Sequence, residues 1–137
     1  MSAKEYFKQA PTLKKLIDAK KARIQELREL AEWAGRGITT NTKVQKSKKS
    51  DPMTDLIAKA ADLHDECVKD YMRLLELQWE MESIINSVEK DEQRLVLYER
   101  YINLKKWEEI AEENTYSEKH VFKLHGAALQ NVKLDTK

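Results

Sequence analysis

The sequence predicts an all-α protein in which a long helical hairpin or coiled-coil-like N-terminal part is followed by a C-terminal helix-turn-helix module. Charged residues make up 36% of the 137-residue chain, while only 3 Gly and 2 Pro occur, a usage typical of long solvated helices. Apolar residues recur at steps of three and four over two long segments, which is the period of an amphipathic helix. From Asp91 onward this pattern changes to three shorter segments, which predict the C-terminal module.

The first long helix is predicted to begin at Pro11, because a proline in the first turn of a helix loses no hydrogen bond. Gly35 and Gly37 are expected to end it. Its inner stripe consists of apolar side chains and one aliphatic lysine stem, namely Leu13, Ile17, Lys20, Ile24, Leu27, Ala31 and Ala34.

Residues 35–52 are predicted to form a flexible basic loop, since they contain Gly, Ser, Thr and Asn without a helical or strand period. Five basic side chains lie in this segment: Arg36, Lys43, Lys46, Lys48 and Lys49. A solvated linker and a nonspecific contact to phosphate groups are both compatible with this composition.

The second long helix is predicted to begin at Asp51-Pro52 and to carry a heptad-like row. That row is Ile57, Ala60, His64, Cys67, Tyr71, Leu74, Gln78, Met81, Ile85 and Val88. This helix should outrun the first by about 12 residues, or roughly 18 Å. Pairing of the two would then leave apolar surface at one end, which predicts a homo-oligomer, most simply a dimer.

His64 and Cys67 lie one turn apart, but no second ligand pair accompanies them, so the expectation is a seam histidine and a buried thiol rather than a metal site. Trp79 and Tyr71 are similarly interpreted as packing anchors. The single cysteine cannot form an intramolecular disulfide. Together with the lack of a signal peptide and of a long apolar run, this predicts a cytoplasmic protein that does not enter membranes.

No enzyme is expected, because the sequence contains neither a glycine-rich phosphate loop nor a nucleophile elbow. The acidic and histidine side chains show no spacing that joins an acid, a base and a pocket. Catalytic residues, cofactors and metals are therefore not assigned. The net charge of +1 also provides no global basic footprint for nucleic acid, so any DNA contact must come from local patches.

The C-terminal segment is predicted to contain three short helices. Asp91 is the expected cap of the first, and its inner face is predicted to be Leu95, Tyr98, Tyr101 and Ile102. The second, Trp107 to Glu113, places Ile110 inward beside the small Ala111, which allows a close helix crossing. Ser117 is the expected N-cap of the third helix. Inward positions of that helix are Val121, Leu124, Ala128 and Val132, and outer ones are Lys119, His120, Phe122, Lys123 and Gly126.

The stretch WEEIAEENTYSEKHVFKLHGAALQNVK resembles the DNA-binding helix-turn-helix at the C-terminal end of bacterial sigma factors, which reads the −35 promoter element. More narrowly, LYERYINLKKWEEIAEENTYSEKHVFKLHGAAL resembles small phage transcriptional regulators of the RinA and ArpU type. This resemblance implies a DNA-binding regulator of phage late genes, with double-stranded DNA and RNA polymerase as partners. The alternative is a helical adaptor that contacts RNA polymerase or a DNA-packaging component without reading DNA sequence.

The resemblance also implies which residues touch DNA. Those at the start of the third helix are Ser117, Glu118, Lys119, His120, Phe122 and Lys123, and Lys105 with Lys106 are expected to hold phosphates ahead of the second helix.

Two features depart from the pattern. The turn Asn114-Thr115-Tyr116 lacks the usual glycine, so either Asn114 adopts the left-handed conformation or the match is imperfect. The second helix is also strongly acidic. The change of pattern at Asp91 and the resemblance together assign residues 1–90 to the long-helix, dimerising part and residues 91–137 to the DNA-binding module.

Overall fold

The computed structural model of the protein describes residues 1–39 and 51–134. These residues form five helices and no strand, so the predicted all-α class is confirmed. The helices are α1 (Ala3–Thr39), α2 (Pro52–Asn86), α3 (Asp91–Tyr101), α4 (Trp107–Glu113) and α5 (Glu118–Asn131). Within the described ranges, none of these helices combines the length and apolarity that a membrane crossing requires.

Two compact units divide the chain, and both long helices contribute to each of them. One unit is Lys15–Met72, and the other joins Met1–Lys14 to the described part of Arg73–Lys137. This grouping differs from the division at residue 90 that the sequence suggests, because the first turns of α1 pack with the C-terminal helices.

The unit Lys15–Met72 is a pair of helix segments with a narrow apolar core. Its buried residues are Ile24, Leu27, Ala60 and Cys67, with Leu56 and Leu63 packed against them. The ammonium group of Lys20 lies 2.7 Å from a carboxylate oxygen of Asp70 and 3.3 Å from one of Glu66. The carboxylate of Asp70 is the main cause of the raised pKa of Lys20. The lysine that the sequence places on the inner stripe therefore binds acids of α2.

Helix α1 is longer at both ends than the sequence predicts. It begins at Ala3, and Pro11 lies inside it rather than at its start. The Ser2 hydroxyl accepts the backbone N–H of Glu5 at 3.2 Å, and the Glu5 carboxylate accepts the backbone N–H of Ser2 at 2.9 Å. This reciprocal pair is a capping box, which accounts for the early start.

Gly35 does not end α1, and neither does Gly37, because the helix continues to Thr39. A Cβ atom at Gly35 would lie 2.8 Å from the sulfur of Met53, which is closer than side-chain atoms normally approach. The glycine therefore provides room for a close contact with α2 instead of a helix stop. Residues 40–50 of the predicted basic loop lie outside the described residues, and Gly35–Thr39 of that prediction are helical.

The two long helices are nearly equal in length, with 37 residues in α1 and 35 in α2. The prediction that α2 outruns α1 by about 12 residues is therefore wrong, because it placed the start of α1 at Pro11. A homodimer stays a prediction, but unequal helix length no longer supports it.

Most of the predicted row of α2 is buried, with three exceptions. The buried members are Ala60, Cys67, Leu74, Gln78, Met81, Ile85 and Val88. His64, Ile57 and Tyr71 are exposed, so His64 is not a seam residue. Trp79 is 65% exposed and is not a packing anchor, while the Tyr71 ring faces the ammonium group of Lys21 at 5.7 Å.

The second unit has a core to which α1, α2 and α3 all contribute. Phe7, Met81, Ile85 and Leu97 are fully buried in it, and the Phe7 ring lies 5.0 Å from that of Tyr101. The Gln78 amide donates to the backbone oxygens of Tyr101 and Ile102, at 2.9 and 3.1 Å. These bonds satisfy carbonyl groups that the end of α3 leaves without a helical partner.

Candidate nucleic-acid interface

Helix α3 forms the base on which α4 and α5 are placed. Its N-cap is Lys90, and Asp91 is its first helical residue, so the predicted cap is wrong by one position. Asp91 instead forms an ion pair with Arg94. The buried side chains are Gln93, Val96, Leu97 and Tyr101. Leu95 and Tyr98 are each 37% exposed and do not form the inner face, because Tyr98 reaches the Glu82 carboxylate at 3.1 Å.

A small apolar cluster holds α3, α4 and α5 together. Its buried members are Val96, Ile110, Ala111 and Val121, with Trp107, Tyr116 and Leu124 packed against them. Ile110 and Val121 are fully buried, and Ala111 is 5% exposed. The small side chain of Ala111 lies at the contact as predicted.

The link from α4 to α5 is a compact turn with a defined hydrogen-bond pattern. The backbone N–H of Tyr116 donates to the Ala111 oxygen at 2.9 Å, and that of Thr115 donates to the Glu112 oxygen at 3.3 Å. This pair of bonds is the Schellman arrangement, which requires a left-handed residue after the C-cap. Thr115 is that residue, with φ at 59°, while Asn114 has φ at −104°.

The alternative in which Asn114 adopts the left-handed conformation is therefore wrong. A β-branched residue in this region costs about 1–2 kcal/mol. Asn114 contributes differently, since its side-chain amide donates to the Ile110 oxygen at 2.8 Å. The turn is thus fixed by hydrogen bonds despite the strain at Thr115.

Ser117 is the N-cap of α5, as predicted. Its hydroxyl accepts the backbone N–H of His120 at 3.1 Å. Val121 and Ala128 are buried on the inner side of α5, and Leu124 and Val132 are partly buried. The Asn131 amide donates to the buried Gln93 at 2.8 Å. The C-terminal end of α5 is therefore attached to α3.

The outer side of α5 carries a row that we term the α5 stripe: Lys119, Phe122, Lys123 and Gly126. All four residues are exposed, and their spacing of three and four places them on one helix face. The stripe is about 10 Å long, which is comparable to the width of the DNA major groove. Neither lysine of the stripe has an acidic partner among the described residues.

The aromatic member of the stripe is held from beneath. The Phe122 ring lies edge-on to Trp107, with 5.3 Å between centroids. Trp107 in turn packs against the guanidinium of Arg100 at 4.5 Å and the ring of His125 at 4.6 Å. Phe122 remains 49% exposed, so it presents an apolar ring to the outside from a fixed position.

Four of the other five predicted contact residues lie at the start of α5 or at the start of α4. Ser117 and Glu118 are exposed at the start of α5, and His120 is half-buried with its ring 4.9 Å from that of Tyr116. Lys106 is exposed, and its backbone N–H donates to Glu109 at 2.9 Å. These four residues border the α5 stripe or the start of α4.

Lys105 is different, because it is half-buried and bound by two carboxylates. Its ammonium group lies 3.0 Å from Glu99 and also contacts Glu113. The bond to Glu113, followed by that to Glu99, raises the pKa of Lys105. Lys105 therefore joins α3 to α4, and its positive charge is already compensated by the two carboxylates.

The two histidines of α5 have different environments. The ring of His125 is half-buried, and this burial, followed by the nearby charges of Arg100 and Lys4, lowers its pKa to about 4. His125 is therefore neutral at pH 7 and serves as a hydrogen-bond partner inside the unit. Only His120 lies near the face that was predicted to touch DNA.

Helix α4 presents an acidic side next to these residues. Glu109 caps its own helix and Glu113 binds Lys105, while Glu108 and Glu112 are exposed and have no partner among the described residues. The Tyr116 hydroxyl donates to Glu92 of α3 at 3.3 Å. Two of the four glutamates of α4 are therefore bound within the protein.

The sequence missed the support of Phe122 by Trp107 and the binding of Lys105 by Glu99 and Glu113. Spacing of fifteen residues between the two aromatic side chains leaves no periodic signal. The described residues contain no group of three or more His, Cys, Asp or Glu that could hold a metal ion. Comparison of the chain with family models, curated proteins and solved structures gives no match.

Proposed function

We propose that the protein is a DNA-binding transcriptional regulator that inserts α5 into the major groove of duplex DNA. The observation that carries this proposal is the α5 stripe, in which an exposed phenyl ring lies with two lysines that have no acidic partner among the described residues. A helix that follows a tight turn and presents its first turns outward has the geometry by which a helix-turn-helix reads base edges.

Local electrostatics support the same function despite the net charge of +1. Lys119 and Lys123 retain their full charge for phosphate groups, since no acid binds them in the described part of the chain. The positive end of the α5 dipole and the free backbone N–H groups of its first turn also lie at Glu118 and Lys119. DNA affinity should therefore depend strongly on salt concentration.

The resemblance to small phage regulators of the RinA and ArpU type extends the proposal to a biological role. In that role the protein activates late genes of a phage or prophage from promoter DNA. The long helices would then serve dimerisation or contact with RNA polymerase. This part of the proposal rests on the residues of α4 and α5 and on the order of the helices alone.

The test is selection of binding sites from a random duplex pool with the full-length protein at near-physiological salt. The enriched duplex is then titrated beside a scrambled duplex of equal length. Enrichment of one motif, with affinity at least about tenfold above the scrambled control, is the expected result. A palindromic motif would indicate a symmetric dimer. Equal affinity for both duplexes would contradict the proposal.

A second candidate function is a helical adaptor that contacts RNA polymerase or a DNA-packaging component without reading DNA. The exposed carboxylates of Glu108 and Glu112 and the 65% exposed ring of Trp79 favour a protein partner, since an acidic surface repels DNA and exposed tryptophans are frequent in interfaces. This candidate predicts that Glu108→Gln with Glu112→Gln weakens binding to purified polymerase. The DNA-reading function predicts no loss of site-specific DNA binding in the same variant.

A further inference from the structure

We infer that the ring of Phe122 reads the 5-methyl group of a thymine in the major groove of the bound DNA. The inference rests on the proposed DNA-binding function. It goes further than that function because it names the base and the chemical group that α5 recognises.

The chemistry of the α5 stripe selects thymine. A phenyl ring has no hydrogen-bond donor or acceptor, so it cannot pair with the polar edges of bases. Of the four base pairs, only those with thymine present an apolar group in the major groove, which is the 5-methyl group. Phe122 is 49% exposed at the centre of the stripe and is therefore suited to that contact.

The position of Phe122 in the stripe also fits an apolar contact between two phosphate contacts. Lys119 lies three residues before it on the same helix face, and Lys123 follows it directly, so that both lysines share the exposed side of α5 with the ring. Their charges complement the phosphate groups that line the groove. Phosphate contacts of this kind fix the orientation of a helix, and the residue between them then reads the base.

The ring is also oriented before DNA binds. Trp107 contacts Phe122 edge-on at an interplanar angle of 65°, and Trp107 itself packs against the guanidinium of Arg100 and the ring of His125. A side chain that is already held in position loses less conformational freedom when it binds.

The backbone of α5 can approach the groove closely beside this ring. Gly126 lies one turn beyond Phe122, and a Cβ atom added there would meet nothing within 4 Å. No side chain therefore stands between the α5 backbone and a bound groove at this position, which favours a close approach of the Phe122 ring to the base edges.

The experiment uses the full-length protein and the duplex that it enriches from a random pool. Each thymine in that duplex is replaced in turn by deoxyuridine, which removes the 5-methyl group and keeps the base pair. The expected result is a loss of affinity of about fourfold at one thymine in each bound site, the effect of one methyl group that is no longer buried. Phe122→Ala should bind the thymine and uracil duplexes equally, whereas Lys123→Ala should still distinguish them.

The outcomes separate the inference from the function on which it rests. A selected site in which no uracil substitution weakens binding, or one without thymine, overturns the inference and leaves sequence-specific DNA binding intact. If uracil lowers the affinity of the parent protein and of a folded Phe122→Ala variant equally, the effect comes from DNA shape. That result also overturns the inference. If the pool yields no preferred sequence, the proposed function itself fails. The uracil scan of the parent protein needs no variant, so a folding defect in Phe122→Ala leaves the test intact.

Discussion

The hydroxyl group of Tyr101 lies 2.7 Å from Nε2 of His125 and joins the end of α3 to the middle of α5. Burial raises the pKa of Tyr101 to about 12, so the tyrosine keeps its proton and donates it to the bond. Burial also lowers the pKa of His125 to about 4, so the ring is neutral at pH 7, and Nε2 accepts this bond in the tautomer that carries the proton on Nδ1. Protonation of the histidine would remove this acceptor.

Stability should therefore decrease as the pH falls from 6.5 toward 4. In this range the unfolded histidine binds a proton and the folded one does not, which favours the unfolded state. Between pH 7 and pH 5 we expect the parent protein to lose about 1 kcal/mol more stability than His125→Gln, roughly half of what the full pKa difference gives, because the ring is only half-buried. Urea unfolding at both pH values measures this difference. His64→Gln is the matched control, because His64 is exposed, and equal pH dependence in the parent and in His125→Gln would contradict the prediction.

Substitution of Thr115 should increase stability. Its φ of 59° lies in the left-handed region, so Thr115→Gly and Thr115→Asn should each relieve strain and stabilise the protein by up to about 1 kcal/mol. Thermal unfolding measures the gain. Thr12→Asn, at an exposed position in the interior of α1, is the control and should give no increase. An unchanged or lower midpoint for both Thr115 variants would show that the turn is not strained.

Gly126→Ala should stabilise the free protein and weaken its binding to DNA. Since a Cβ atom meets nothing within 4 Å there, Gly126→Ala should raise stability by about 0.5–1 kcal/mol through helix propensity. The same methyl group should weaken DNA binding, because it holds the α5 backbone away from the groove. Gly35→Ala is the matched helical control. Its gain should be smaller, because its Cβ displaces Met53, and its DNA affinity should be unchanged.

The two lysines of the α5 stripe should determine the salt dependence of DNA binding. The double variant Lys119→Ala with Lys123→Ala should weaken binding and reduce the slope of log affinity against log salt by about 2. Helicity by circular dichroism should stay the same. The double variant Lys59→Ala with Lys69→Ala removes the same charge from exposed positions of α2 and should leave the slope unchanged. Equal slopes for both double variants would exclude α5 as the phosphate-binding helix.

Lys105 and Lys106 are adjacent but should act differently. Lys105→Ala leaves the carboxylates of Glu99 and Glu113 without their ion pair, so the thermal midpoint should fall and DNA affinity should be unchanged once the variant is folded. Lys106 is exposed at the start of α4, and Lys106→Ala should weaken DNA binding with no loss of stability. A reversed result would assign the phosphate contact to Lys105.

The parts of the fold that depend on neighbours in sequence were predictable. Trp107–Glu113 and the Ser117 cap were found correctly, because a cap and a turn are encoded within a few residues. The start of α1 was missed although Ser2 and Glu5 carry the spacing of a capping box. Pro11 by itself favours a helix start, but Phe7 and Ala10 are fully buried before it, and this burial keeps the preceding turns helical.

The parts that depend on distant residues were not predictable. Leu95 and Tyr98 fit a helical period as well as Val96 and Leu97 do, and only the packing of the other helices shows which pair is buried. The neutralisation of Lys105 by acids six residues before it and eight residues after it also has no periodic signal. Residues that face solvent in the α5 stripe were assigned correctly, since they are what remains when the buried side of one helix is known.

The contact between Phe7 and Tyr101 has a consequence for how the chain is made. Phe7 is fully buried and its partner ring lies 94 positions later in the chain, so a ribosome releases the first aromatic residue long before the second exists. The core beneath α3 cannot form during that interval, and the apolar side chains at the start of α1 stay uncovered. A nascent chain that ends before Tyr101 would therefore leave the apolar ring of Phe7 without this partner.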